Sequence, residues 1–216
     1  MAYVCENTPE PLLNLPGAFS TRLRAPRTGS MEMATYYMTS FLCEYSRALL
    51  ERAIEGGYNF LSGLMGTETC SEMNRALEHF ELLQLVDNEQ FFVTFLDMPF
   101  KVTENTVRHY VDQLRRKVLT PLQEVYGVDV SDDALRKAVA EHNEVCRILT
   151  EIGQFRKEEN PRITGYEYHI LNLVSYCCPK YLIVDKLRET LEELRQREPD
   201  VKPRFRVKIA VVGSEI

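Results

Sequence analysis

Six cysteines, at positions 5, 43, 70, 146, 177 and 178, are the residues of this chain with the widest choice of chemistry. A thiol packs as a small hydrophobe in a core. As a thiolate it is a nucleophile, a redox partner or a ligand for a soft metal. Spacing narrows the choice. No two cysteines stand in a C-x-x-C pair, so zinc ribbons and thioredoxin-like redox sites are disfavoured. The chain also lacks G-x-G-x-x-G, a P-loop and H-E-x-x-H. Cys177 and Cys178, just before Pro179, would close a strained ring if oxidised, so packing at a helix junction is the simpler reading. Cys146, in "HNEVCRILTEI", falls on an apolar helical face and reads as core. His79, His109, His142 and His169 show no metal-ligand spacing and read as surface or hydrogen-bonded histidines. Cys43 and Cys70 remain. Each opens a helical pattern, where the partial positive charge of a helix N-terminus stabilises a thiolate. Composition alone leaves open whether they are ligands or small buried residues.

The elements that must position these two thiols are legible as patterns. "FLCEYSRALLERAIEGG" reads as a helix, capped by Thr39 or Ser40 and stopped by Gly56 and Gly57. The apolar run "YNFLSGLMG" predicts a buried strand over Tyr58–Met65. Thr69 and Glu72 have capping-box spacing and predict a helix from about Cys70 to Val86. "FFVTFLDMP" predicts a second buried strand, over Phe91–Leu96, closed by Pro99. Short links in this order predict an α/β fold with a parallel sheet and flanking helices. In such a sheet the strand-to-helix turns share one edge, where ligands bind. From Thr103 to Glu198 the periodicity turns helical. The pattern is interrupted at Pro121, with Ser131 as one cap and Thr164–Glu167 as a second capping box. "VKIAVVGS" at the end reads as the first strand of a second α/β domain. The expected organisation is therefore an α/β domain over 1–100, a helical segment over 101–198, and a linker and strand over 199–216.

Bulk properties exclude several classes. The 216 residues carry 26 Lys and Arg against 32 Asp and Glu, a net charge of −6, so nucleic acid is not an expected partner. The start "MAYVCENTPEPLL" shows no basic region followed by an apolar run, and no stretch approaches ~18 apolar residues. A cytoplasmic protein with reduced thiols and no membrane contact is expected.

Several stretches together resemble the 2-hydroxyacyl-CoA dehydratase family, D-component type, which includes the benzoyl-CoA reductase subunits. They are "YVCENTPEPLLNLPGAFSTRLRAP", "TGSMEMATYYMTSFLCEYSRALLERAIEGGYNFLSGLMGTETCSEMNRAL", "FLDMPF", "LTPLQEVYGVDVSDDALRKAVAEHNEVCRILTEI", "ITGYEYHI" and "RVKIAVVGSEI". The resemblance is collinear over nearly the whole chain. It implies a component of an iron–sulfur acyl-CoA enzyme, performing either radical dehydration of a 2-hydroxyacyl-CoA or ATP-driven reduction of an aromatic acyl-CoA. It also implies a homologous second subunit and an ATP-dependent activator that carries its own iron–sulfur cluster. The family's [4Fe–4S] ligands match Cys43 and Cys70, and its third ligand lies beyond this chain. Thiolates at helix starts suit such a cluster.

The chain departs from the family pattern at several points. Where the family reads Pro-x-Glu-Leu, this chain has Pro9-Glu10-Pro11-Leu12, leaving Glu10 as the candidate catalytic carboxylate. Pro16 replaces a small residue, and Ser71 stands where an acidic residue is usual. Arg22 and Arg24 follow a predicted strand and are candidates to meet the phosphates of coenzyme A. These departures keep a second reading open, a non-catalytic partner subunit or truncated remnant of the family.

Overall fold

The structure, a computed structural model, describes residues 1–4, 7–26, 28–199 and 209. Four parallel strands form one sheet in the order β2-β1-β3-β4, with β1 Ala2–Tyr3, β2 Thr21–Arg22, β3 Gly63–Thr67 and β4 Phe92–Leu96. The two longer strands are parallel neighbours, in register from Gly63 opposite Phe92 to Thr67 opposite Leu96. This is the pairing the apolar runs predict. The first run is shorter than expected, because Tyr58–Leu61 form a turn after Gly56, which sits at φ 75°. The Tyr58 ring stacks on Phe80, and its hydroxyl donates to the Arg24 carbonyl, so this residue anchors the turn and does not extend the strand.

Both faces of the sheet are covered, which is why the strands read as continuous apolar runs. Successive side chains alternate between two cores. Ala2, Val4 and Leu64 pack with Leu49, Met73, Leu77 and Phe80 of α2 (Glu44–Ile54) and α3 (Ser71–Leu82). Tyr3, Met65 and Leu96 pack on the other side with Leu13, Val118, Leu122 and Ala138. Gly66 lets α3 approach closely, since a Cβ there would lie 2.5 Å from Leu77 Cδ1. A short helix, α1 (Glu32–Tyr37), lies outside α2, where the buried Glu51 carboxylate accepts the Ala34 N–H at 2.7 Å.

The second half is helical, as predicted. α4 (Glu104–Leu114) runs through a π turn, Arg115–Leu119, into α5 (Thr120–Tyr126). Pro121 has no N–H to give the carbonyl one turn back, which locates the break. α6 (Asp132–Gln154) starts at Ser131, whose hydroxyl accepts from the Ala134 N–H. α7 (Gly165–Cys177) starts at the predicted box, with Thr164 and Glu167 each accepting the other's backbone N–H. α8 is Lys180–Gln196. A third core joins Val145, Ile148 and Ile152 of α6 to Ile183, Leu187 and Leu191 of α8. Glu144–Arg188 and Glu151–Arg195 pairs line the same seam at 2.7 and 2.9 Å. The expected linker and strand over 199–216 lie, apart from residues 199 and 209, outside the described residues, as does Cys5. No described helix is long and apolar enough to cross a membrane.

Candidate functional site

Cys43 and Cys70 both stand at helix N-caps, one position outside the first turns expected of them. Neither thiol caps its own helix. The cap of α2 is supplied from elsewhere: Glu72, in the first turn of α3, accepts the Cys43 N–H at 2.8 Å. The capping box expected between Thr69 and Glu72 is therefore not formed. Glu72 reaches across to α2, and Thr69 pairs with the Thr67 hydroxyl at 3.1 Å. This one hydrogen bond joins the two helix starts. α3 follows β3 directly, so the joined starts sit at the carboxyl edge of the sheet. Cys43 is half-buried and Cys70 exposed, and neither is in a disulfide. Among the described residues, no group of three or more His, Cys, Asp or Glu side chains is arranged to hold a metal ion. Two free cysteines are what this edge offers.

The other candidates lie around the end of α7. Arg22, on edge strand β2, places its guanidinium 5.5 Å from the centre of the Tyr176 ring. Arg24 follows the same strand, is exposed, and its charge acts on Cys177. Burial raises the Cys177 thiol, against the lowering effects of a hydrogen bond with Thr21 and of Arg24. Beneath this edge, burial and then the charge of Glu10 raise the Tyr3 phenol.

Glu10 opens a 3₁₀ turn, Glu10–Leu13, on the sheet face opposite α2 and α3, and is only 8% exposed. Its Oε1 accepts from Lys180 at 2.7 Å and from the Ser20 hydroxyl at 3.0 Å. Lys180, 3% exposed, also donates to the Ser175 carbonyl. His142 Nδ1 lies 3.7 Å from Glu10 Oε2. Sequence reasoning missed both Lys180 and His142. Their partner lies at the far end of the chain, and each sits in an ordinary amphipathic pattern. Cys146 is exposed on α6, not in the core as expected, with its Sγ 3.5 Å from His142 Nε2.

Comparison with known proteins places this geometry in context. The family model described as the 2-hydroxyglutaryl-CoA dehydratase D-component matches residues 5–216. The (R)-phenyllactyl-CoA dehydratase beta subunit of Clostridium sporogenes is 23% identical over 192 residues, covering 89% of this chain and 50% of that protein. The chain thus spans about half the length of the curated relative it matches. The match begins just after the first strand and takes in both cysteine-bearing helix starts and the whole helical segment, and the chain belongs to the 2-hydroxyglutaryl-CoA dehydratase D-component family.

Proposed function

We propose that this chain is the N-terminal part of a subunit of a 2-hydroxyacyl-CoA dehydratase, in which Cys43 and Cys70 supply two thiolates to a [4Fe–4S] cluster. The hydrogen bond from the Cys43 N–H to Glu72 carries the reading, because it ties two free thiols to one edge of a parallel sheet. The donor set fits in kind, since thiolates are the ligands such clusters take. It does not complete a site, so the remaining ligation comes from outside the described residues. When bound, the cluster supplies one-electron chemistry to a thioester. The residues of this chain do the positioning. Arg22 and Arg24, at the end of edge strand β2, offer guanidinium groups to the phosphates of coenzyme A. A dehydratase is favoured over a reductase, because the family and the relative are both described as dehydratases. The relative is a beta subunit, which supports assembly of this protein with a homologous subunit. An ATP-dependent activator with its own iron–sulfur cluster would deliver the electron.

The test is anaerobic reconstitution with iron and sulfide, read by iron content and by the visible absorption of thiolate-bound iron. The 216-residue chain alone should take up little cluster. The chain extended by a second domain that contributes a cysteine should take up a cluster, and Cys43→Ser and Cys70→Ser in that extended protein should lose it. Equal uptake by the serine variants would overturn the metal reading and leave a non-catalytic partner subunit.

A further inference from the structure

A cavity of about 210 Å³ opens between α6, α7 and the start of α8, on the face away from Cys43 and Cys70. Its wall sets two groups on either side of one imidazole. Cys146 Sγ is 3.5 Å from His142 Nε2, and Glu10 Oε2 is 3.7 Å from His142 Nδ1. Nδ1 is buried and makes no hydrogen bond. The carboxylate favours the tautomer with its proton on Nδ1, which turns the Nε2 lone pair toward the thiol. Lys180 grips Glu10 from the other side and lines the same cavity, where its charge favours an oxygen that becomes negative. A thiol, a base and an acid that orients the base, in this order, form the arrangement of acyl-transfer sites. Separations somewhat longer than a hydrogen bond are common before a substrate is bound.

We propose that Cys146 is an acyl-accepting nucleophile with His142 as its general base, taking a small activated acyl group, a thioester or ester whose acyl part is a few carbons long. Although the Cys146 side chain as a whole is exposed, partial desolvation at the cavity wall raises its thiol, and burial lowers the His142 imidazole, so the resting pair is a neutral thiol beside a neutral base. The proton therefore leaves as the new bond forms. Sγ attacks the carbonyl carbon while its proton passes to Nε2. The bond from that carbon to the leaving thiol or alcohol breaks, and His142 returns the proton to the leaving group. The products are acyl-Cys146 and a free thiol or alcohol, with no oxidant or reductant consumed. Glu10 is a positioning residue, since it acts through the imidazole.

The experiment incubates the full chain with p-nitrophenyl acetate or a small acetyl thioester. It follows release of the leaving group and locates the acetyl group by peptide mass spectrometry. Acetyl should accumulate on the Cys146 peptide ahead of those carrying Cys43 and Cys70. It should be absent from that site in Cys146→Ser and form roughly a hundredfold more slowly in His142→Gln, with the fold intact by circular dichroism. The rate should rise with pH as His142 loses its proton. The groups facing His142 are Glu10 from the 3₁₀ turn, Lys180 from α8 and Cys146 from α6 itself. Glu10 raises the imidazole and Lys180 lowers it, so Glu10→Gln should move the midpoint of the rise to lower pH, which a loss of packing alone would not do. If Glu10→Gln does not fold, the Cys146 and His142 variants decide. Acetylation of Cys146 no faster than of the exposed Cys70, or an unchanged rate in His142→Gln, would overturn the proposal. An unmoved midpoint in a folded Glu10→Gln protein would remove Glu10 from the arrangement.

Discussion

Lys180 and Glu10 form an ion pair taken almost wholly out of water, and its energetics are asymmetric. The attraction between the charges offsets a desolvation cost of several kcal/mol per ion only while both partners are present. Lys180→Met strips Glu10 of its counter-charge and should destabilise the fold by about 3–5 kcal/mol. Glu10→Gln should cost a similar amount by stranding the ammonium. The double variant should recover a large part of the loss, because the uncompensated charge is gone. Urea denaturation of the four proteins gives the coupling directly, and strictly additive losses would mean the pair does not interact. His142 adds a pH dependence. Burial, the largest cause, lowers its folded pKa, opposed by Glu10 and helped by Lys180. The unfolded chain therefore binds the proton more readily. The stability contributed by keeping His142 neutral is present above the ordinary value near ~6.5 and is lost as pH falls through the lower folded value. Unfolding free energy should fall as pH drops from neutral through the lowered folded value, and His142→Gln should flatten that part of the curve. Neither residue announces itself in the sequence. A charge or imidazole on an amphipathic helix looks solvated until a partner from the other end of the chain closes over it.

The helix starts differ in how far they could be read. Ser131 and the Thr164–Glu167 box were legible because the side chain and the N–H it serves are three residues apart, so local spacing carries the whole interaction. Thr69 and Glu72 have the same spacing, yet Glu72 serves the Cys43 N–H. Spacing alone does not reveal a competing donor on another helix. The strands show a similar limit. Strands β3 and β4 announce themselves by apolar runs, whereas β1 and β2 are two residues each, too short to carry a period. For α7, Thr164→Ala should cost about 1 kcal/mol and fray the first turn, seen as faster amide exchange at Tyr166 and Glu167. The backbone hydrogen bond from Thr164, the largest cause, holds the Glu167 carboxyl below its usual value, with Arg197 adding to the effect. This contribution is present above the ordinary carboxyl value of ~4.3 and disappears as pH falls through the lower folded value. Glu167→Gln should therefore differ from the parent most at neutral pH and converge with it in acid. A constant gap at all pH values would show that the charge plays no part.

Across the whole molecule, the sheet and the helical segment have separate cores, and α6 belongs to both. Ala134 and Ala138 at its start pack under the sheet with Met65 and Leu122, while Val145, Ile148 and Ile152 near its end pack against α8. The Glu10–Lys180 pair makes a second tie between the two parts. A single rigid helix through two cores transmits the unfolding of one to the other, so the chain should unfold in one cooperative transition despite its divided interior. The thiol edge and the cavity around His142 would then be lost together. Asn143 is exposed near the middle of α6, between the two cores, and gives a way to cut this coupling without touching either. Asn143→Pro removes a helical hydrogen bond and sets the ring against the Val139 carbonyl, at about 3 kcal/mol or more. If α6 is the coupling element, denaturation of this variant should separate into two transitions. The Tyr58–Phe80 stack would report the sheet core, and amide exchange along α8 would report the α6–α8 core. A single transition with coincident probes and only a lower midpoint would show that the two cores are joined by other contacts and that α6 is not the beam between them.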